Sequence, residues 1–251
     1  MPDRPTIAIV GPGRLGRSLA ALWAAIGVPT TIVHKSEPIP TADVVLLTVP
    51  DRHIAAAAQQ VPPGPVVLHC SGATGLEPVR HRPGHGSLHP LMTFPGPDVA
   101  LPVLHGVPAA IDGDEAGRKM AHLLTESLGM KPVHIPGDRR LYHAAAVLAG
   151  NGATVLLAEA RTALLAAGIA PADAASLLIP LVRQSIDNAA SDTSLALTGP
   201  AARGDKRVLQ GHYDALDEAG LTGVRTLHQA VATAAIRVVM SSLLPDNDDA
   251  P

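Results

Sequence analysis

Continuous apolar runs alternate with helix-like segments over the first half of the chain. Such runs, without alternation of apolar and polar residues, are typical of strands that are covered on both faces. Repeated strand–helix–strand units predict an α/β fold with a mostly parallel, Rossmann-type sheet. The predicted strands span residues 6–10, 30–33, 44–48, 66–69 and 109–111.

The second half has a different pattern, because from Asp138 onward long Ala- and Leu-rich helices follow one another with no strand pattern. Pro171 suits the first turn of a helix, and Asp205 suits an N-cap. We therefore predict a first domain over 1–137 and an all-α domain over 138–251. The predicted helices span residues 14–26, 114–129, 141–167, from 171 onward, from 205 onward and 222–244.

Composition narrows the classes of function. The 251 residues carry 19 Lys and Arg against 22 Asp and Glu, so we expect no basic surface for nucleic acid. Cys70 is the only cysteine, which excludes an internal disulfide and fits a reducing, cytoplasmic location. The N-terminal residues lack the basic start and long apolar run of a secretory signal. The apolar stretch 141–158 contains His143 and Asn151, so we expect no membrane span.

The strongest local motif is GPGRLG, which lies between the first predicted strand and the first predicted helix. A dinucleotide-binding turn needs glycines at these places for a tight turn, for close approach of the backbone to a pyrophosphate, and for close packing of helix on strand. The predicted cofactor-binding residues of this loop are Gly11, Gly13, Arg14, Leu15 and Gly16.

The end of the second predicted strand indicates the type of dinucleotide. It carries His34, Lys35 and Ser36, and a cation with a hydroxyl suits a 2′-phosphate, so NADP is the predicted cofactor. Two alternatives stay open. Glu37 could reach back to a ribose 2′-hydroxyl, as in an NAD enzyme, or Lys35 could be an ordinary solvated lysine.

Ligands of open parallel sheets bind beyond the carboxyl ends of the strands. Val49 and Pro50 follow one predicted strand and are assigned to the cofactor, while Ser71 and Gly72 follow the next and are assigned to the substrate. The alternative for each is ordinary turn chemistry. Histidines at 81, 85 and 89 are spaced four apart, but the prolines and glycines among them disfavour a helix, so no metal site is predicted.

Four motifs together resemble a known family: HCSGATG at 69–75, GSLHPLMTF at 86–94, YHAAAVLAGN at 142–151 and LTGPAARGD at 197–205. The chain resembles short oxidoreductases with a Rossmann-like domain and a C-terminal helical domain of unknown function, related to β-hydroxyacid dehydrogenases and ketopantoate reductases. The resemblance implies a helical domain like that of 6-phosphogluconate dehydrogenase, which closes over the nicotinamide and often forms dimers. His89, within the second motif, is assigned to the substrate.

In the better-known relatives a lysine lies one helical turn before an asparagine and polarises the substrate carbonyl. Asn151 matches that asparagine, but Val147 stands where the lysine would be. His143, one turn further back on the same stripe, is our candidate proton donor, with Asn151 orienting the substrate. A purely structural role for His143 is the alternative. Lys206 could supply the missing cation and Arg203 could bind an acidic substrate, although helix capping explains this second cluster equally well.

These residues predict an NADP-dependent oxidoreductase that reduces a carbonyl or imine on a small, carboxylate-bearing metabolite, in the manner of a ketopantoate reductase. The alternative, kept open by Val147, is a non-catalytic NADP(H) sensor or regulator. A homodimer is expected, because the helical domain has wide Ala/Leu faces and little aromatic bulk.

Overall fold

The computed structural model describes residues 4–192 and 196–242. It contains a seven-stranded sheet and a set of helices, which confirms the predicted α/β class. The chain divides into two compact units, 1–151 and 152–251. This division falls later than the predicted boundary at 137/138, because Arg139 and Tyr142 form hydrogen bonds with Ser71 and His89 of the first unit.

The sheet of the first unit has the order β2-β1-β3-β4-β5-β6-β7. Strands β1 to β5 run parallel, β6 is antiparallel to β5, and β7 is parallel to β6. The strands are Ile7–Val10 (β1), Thr30–Val33 (β2), Val44–Leu47 (β3), Val66–His69 (β4), His85–Pro90 (β5), Pro108–Gly113 (β6) and Lys131–Val133 (β7).

Both faces of this sheet carry a core. One core contains Ile9, Leu46 and the buried Trp23 of α1, and the other contains Val45, Leu47 and Ile54 of α2. Continuous apolar strands therefore have partners on both sides, as their sequences predict. The helices of the unit are Arg14–Ala25 (α1), Ile54–Gln60 (α2), Glu115–Ser127 (α3) and Arg139–Val147 (α4), with a 3₁₀ turn at Asp51–His53.

The strand order places the crevice that a ligand would occupy. From β1 the chain crosses to β2 on one side and then returns to β3 on the other. The connections leave the carboxyl ends of β1 and β3 in opposite directions, which opens a crevice between them. Gly11 and Thr48 follow those two strand ends, so the glycine loop begins at the switch point of the sheet.

The second unit consists of helices Ala153–Ala166 (α5), Pro171–Ser191 (α6), Lys206–Glu218 (α7) and Thr222–Ser242 (α8), preceded by a π-helical turn at Leu148–Gly152. Pro171 occupies the first turn of α6, and the Asp205 carboxylate accepts a hydrogen bond from Val208 N at 3.1 Å. Both agree with the sequence pattern. The predicted end of the last helix at 244 lies outside the described residues.

The helical run Arg139–Ala166 is long and apolar enough to cross a membrane by length and composition alone, with a mean hydropathy of 1.4 over an 18-residue window. The same run carries the polar residues His143 and Asn151, and such residues are rare in membrane-spanning helices. One helix of this kind says little by itself, and the expected absence of a membrane partner stays a prediction.

Candidate functional site

The glycine loop packs α1 tightly onto the sheet. Gly11 has a φ of +115°, and a Cβ at this position would lie 2.9 Å from the carbonyl carbon of Thr48. A Cβ on Gly16 would overlap the carbonyl oxygen of Gly11 and lie 2.5 Å from Thr48 Oγ1. The Thr48 hydroxyl itself donates to Gly11 O at 2.7 Å. The first and third glycines therefore serve the turn and the helix–strand packing that the motif predicts.

Gly13 plays a different part, because a Cβ there would have no heavy atom within 4 Å. It is the N-cap of α1, with no side-chain cap and no acidic residue in the first turn. Free amides and the positive end of the helix dipole thus face open space beside the switch point, as a pyrophosphate site requires. Arg14 is the first residue of α1, and Leu15 lines the cavity described below.

The residues after β2 form a closed turn. Ser36 has a φ of +71°, and Glu37 N donates to His34 O at 3.1 Å. The Glu37 carboxylate accepts a hydrogen bond from His34 N at 2.7 Å. Glu37 therefore holds the turn together through its side chain, while Lys35 is exposed between these two residues.

A cavity of about 220 Å³ lies beyond the ends of the central strands of the first unit. It brings together predicted cofactor residues and predicted substrate residues, and Pro50 sits between two of its lining residues. The lining residues are Leu15, Thr48, Val49, Asp51, Cys70, Ser71, Gly72, His89 and His143.

Asp51 is the centre of a hydrogen-bond network at this cavity. Its Oδ2 accepts from the Ser71 hydroxyl at 2.7 Å and from the Thr74 hydroxyl at 2.8 Å. Ser71 Oγ also accepts from Thr74 N at 2.9 Å. The hydrogen of the Ser71 hydroxyl is thus engaged by Asp51, and the serine positions the carboxylate.

His69 is a neutral imidazole that forms hydrogen bonds with the backbone of the same loop. Its Nδ1 accepts from Ser71 N at 3.2 Å, so its Nε2 carries the proton and donates to Gly75 O at 3.0 Å. Burial, followed by the charge of the nearby Arg139 guanidinium, lowers the pKa of His69 to about 4. Arg139 Nη2 donates to Ser71 O at 3.0 Å and so ties α4 to the loop after β4.

Two further histidines converge on Gly72. A Cβ on Gly72 would lie 2.5 Å from His143 Nδ1 and 2.9 Å from His89 Nε2, so only glycine fits at this position. Tyr142 OH and His89 Nδ1 are 2.9 Å apart in a hydrogen bond. Burial lowers the pKa of His89 to about 4, with His143 as the next cause. His143 Nδ1 is buried and has no hydrogen-bond partner among the described residues.

A larger cavity of about 670 Å³ adjoins this one and shares His89 and His143 with it. Leu91, Met92 and Val147 give it an apolar wall, and Asn151 lies at its lining as well. His143 and Asn151 therefore border one space, with the π-helical turn between α4 and α5 carrying Asn151.

Arg203 and Lys206 belong to the second unit, where both are exposed. Sequence analysis did not select Asp51, Thr74, Arg139 or Tyr142. Asp51 directly follows Val49 and Pro50, so the rule that selected those residues at a strand end could have found it. Tyr142 carried no such signal, since its partner His89 lies 53 residues away.

The profile of the family described as "Domain of unknown function (DUF2520)" matches residues 107–234, just over half of the chain. The chain belongs to this family. None of the curated proteins matches this DUF2520 chain in sequence.

Solved structures share the fold over nearly the whole DUF2520 chain. Protein TM1727 from Thermotoga maritima is 24% identical, covering 95% of this chain and 100% of its own, with a TM-score of 0.71. BF3122 from Bacteroides fragilis, a candidate NADP oxidoreductase, is 18% identical, with coverages of 93% and 98% and a TM-score of 0.80. A reductive aminase from Aspergillus terreus, in complex with NADPH and ethyl levulinate, is 15% identical, with coverages of 94% and 94% and a TM-score of 0.66.

These likenesses confirm the predicted fold, a Rossmann-like domain followed by a helical domain. They support the Rossmann-like fold that the motifs implied. The similar structures named above include neither a β-hydroxyacid dehydrogenase nor a ketopantoate reductase.

Proposed function

We propose that this protein is a nicotinamide-dependent reductase that acts on a carbon–oxygen or carbon–nitrogen double bond of a small molecule. One observation carries the proposal. Leu15 of the glycine loop and Val49, which lies just after β3, line the same cavity as Ser71, His89 and His143. A dinucleotide bound at the switch point would bring its reactive end to these polar groups.

NADP(H) is the proposed cofactor. The α1 amides at Gly13 suit the pyrophosphate, and Lys35 with Ser36 suits the 2′-phosphate. Glu37 is engaged with His34 N, which favours its role in the turn over a contact with the ribose. When bound, the nicotinamide supplies a hydride. The reductive aminase with a similar fold was crystallised with NADPH, which supports the same assignment.

The residues of this chain would orient the substrate and manage its proton. His143 Nδ1, buried beside Gly72, is the proposed proton donor toward a carbonyl oxygen. Asn151 would orient the substrate from the adjoining cavity, and His89 and Gly72 would border it. Arg203 and Lys206 stay proposals as substrate or catalytic groups of the second unit.

A non-catalytic NADP(H) sensor is the second candidate. Val147, which lines the larger cavity, stands where the better-known relatives have a lysine. A protein that only senses the dinucleotide needs no such group.

We also propose that the protein is a homodimer formed through its second unit. Leu177 and Leu181 of α6 are 53% and 63% exposed, and an identical partner is the common way to cover such surface.

The test is a calorimetric titration of NADPH and NADH, followed by an absorbance screen for NADPH oxidation with ketones, 2-oxo acids and cyclic imines. We expect NADPH to bind tighter by about one to two decades, since one partly exposed phosphate–cation contact contributes about 1 to 3 kcal/mol. Lys35→Gln should remove most of that preference. Lys131→Gln, on β7 at the far edge of the sheet, is the matched control.

Tight NADPH binding without turnover of any compound in the screen would favour the sensor. Absence of binding to either dinucleotide would overturn both candidates. Equal or tighter binding of NADH would assign the ribose contact to Glu37.

A further inference from the structure

We propose that Asp51 binds a protonated nitrogen of the substrate, so that the substrate class is protonated imines and not carboxylate-bearing ketones. This inference rests on the proposed reductase function and deepens it. The carboxylate of Asp51 lies in the same cavity as Ser71, Gly72 and His89, the residues assigned to the substrate from the sequence.

The Asp51 carboxylate is held in place and still has an acceptor to offer. The Ser71 and Thr74 hydroxyls both donate to Oδ2, which fixes the orientation of the group. Within the described residues, no hydrogen bond engages Oδ1. The side chain lines the cavity and is exposed, so a ligand N–H can reach this second oxygen and form a charge-assisted hydrogen bond.

No permanently charged cation lines the cavity around Asp51 in the described part of the chain. Among its nine lining residues, all within the described part of the first unit, none is a lysine or arginine. His89 is held neutral by burial, since its pKa is lowered to about 4. Arg139 is not among the lining residues, and its Nη2 donates to Ser71 O. No lysine or arginine of the lining would offset the repulsion between a substrate carboxylate and Asp51, whereas a protonated nitrogen would complement Asp51.

The same choice of substrate explains Val147. A ketone must gain a hydride at carbon and a proton at oxygen, so its reduction benefits from a donor such as the relatives' lysine. A protonated imine already carries its proton on nitrogen. It accepts a hydride at carbon, the carbon–nitrogen double bond becomes single, and the product is a neutral amine with no further proton required. A valine at position 147 is then compatible with catalysis, because reduction of a protonated imine needs no proton donor there.

The adjoining cavity indicates what the rest of the substrate looks like. It opens beside His89 and His143, and its wall includes Leu91, Met92 and Val147. Apolar side chains of this kind favour an apolar substituent. The favoured substrate is therefore a protonated imine with a hydrocarbon group on its carbon.

The first test compares 2-methyl-1-pyrroline, a cyclic imine, with cyclopentanone and 2-oxobutanoate under saturating NADPH. We expect kcat/KM for the imine to exceed that for either of the other compounds by at least about a hundredfold. Asp51→Asn keeps an acceptor for Ser71 and Thr74 but removes the charge, and should lower kcat/KM for the imine by roughly tenfold to a hundredfold, the range for loss of a hydrogen bond to a charged group. The ketone should change by less than about threefold.

Two further variants control for structure. Glu115→Gln removes one exposed charge at the start of α3, where Asp114 bonds Gly84 N before β5; this is the opposite end of the parallel strands, so it should leave all three substrates unchanged. Asp51→Glu retains the charge and should recover part of the preference for the imine.

The second test measures the binding of substrate-like compounds in the absence of turnover. Pyrrolidinium and cyclopentanol are titrated by calorimetry into the protein saturated with NADP+. Pyrrolidinium should bind at least about tenfold tighter, and Asp51→Asn should abolish the difference. Equal affinities in the wild type, or an unchanged difference in Asp51→Asn, would overturn the role of Asp51, while NADPH oxidation with any compound would leave the reductase standing. Failure of NADP+ to bind would overturn both.

Discussion

The two units of this chain solve the problem of burying apolar surface in opposite ways. The first unit closes a core on each face of its sheet, with Trp23, Leu46 and Leu68 fully buried. Among the described residues of the second unit, only four apolar side chains are buried: Ala174, Leu209, Val224 and Ala232. The first unit therefore buries its apolar residues in cores beneath the candidate site. The second unit leaves large apolar side chains exposed.

The sequence explains the contrast. Strands β1 and β3 are continuous runs of Val, Ile, Leu and Ala, and β4 is apolar up to His69, with helices available for both faces of the sheet. Helix α5 reads ATVLLAEARTALLA, with apolar residues on all sides and few polar ones. A helix that is apolar all round needs partners on all sides. Within one copy, many large apolar side chains of the second unit's described residues stay exposed, among them Leu156, Leu177 and Leu181.

The largest expected effect tests the chemistry of the first unit. His143→Ala should lower kcat for cyclopentanone by about a hundredfold to ten-thousandfold, because a positioned proton donor contributes about that much. The same variant should change kcat for 2-methyl-1-pyrroline by less than about tenfold, since the protonated imine brings its own proton. Steady-state kinetics with both substrates measures the split.

His81→Ala, an exposed histidine outside both cavities, is the control for this comparison. A parallel loss of NADPH affinity or of melting temperature in His143→Ala would instead indicate a structural histidine. Equal loss with both substrates would assign the proton of the imine to His143 as well.

The next effect tests the surface of the second unit. Leu177→Glu with Leu181→Glu, one helical turn apart on α6, should raise the dissociation constant of the proposed dimer by at least about a hundredfold, because each buried leucine contributes about 1.5 to 3 kcal/mol. Sedimentation or light scattering should show a mass of about twice 25.7 kDa for the wild type and a monomer for the variant.

Val103→Glu is the matched control in the first unit, where Val103 is 80% exposed. It should leave the mass unchanged. A wild-type mass of about 25.7 kDa at micromolar concentration would show a monomer and contradict the proposed dimer. The exposed apolar side chains of the second unit would then not be explained by a partner copy.

The pH dependence of stability should also differ between the units. His69 is fully buried and its pKa in the folded protein is lowered to about 4 by burial, against an ordinary value of 6.5. Between these values the unfolded chain binds the proton and the folded chain does not, so stability is lost as pH falls through the window. The loss at pH 4 should approach about 3 kcal/mol for this one group.

Hydrogen exchange at pH 7 and pH 4.5 measures this loss for each unit. Amides of β4 and β5 should lose more protection than amides of α7 and α8, where burial lowers the pKa of His228 less strongly. Uniform loss in both units would mean that His69 does not set the acid stability of the first.

The sequence predicted those parts of the fold that depend on local pattern. Strands β1 to β4 and the glycine loop follow from apolar runs and a short motif. Strand β5, with the sequence HGSLHP, and β7, with KPV, contain polar residues, glycine or proline and were not predicted, because only pairing with β4 and β6 makes them strands. Ser71 and Gly72 could be selected from their place after a strand. The hydrogen bond from the Ser71 hydroxyl to Asp51, across 20 residues, could not be predicted in this way.

The smallest effect compares one glycine from each unit. A Cβ on Gly16 would meet Gly11 O and Thr48 Oγ1, and the backbone oxygen cannot move away, so Gly16→Ala should destabilise the first unit by about 1 to 3 kcal/mol. Gly211 lies exposed within α7 with no heavy atom within 4 Å of an added Cβ. Gly211→Ala should stabilise the protein by about 0.5 to 1 kcal/mol, because alanine loses less backbone entropy in a helix. Urea denaturation of both variants measures the change in the free energy of unfolding, which should fall for Gly16→Ala and rise for Gly211→Ala. Destabilisation by Gly211→Ala would show that this face of α7 is covered, as contact with a partner copy would require.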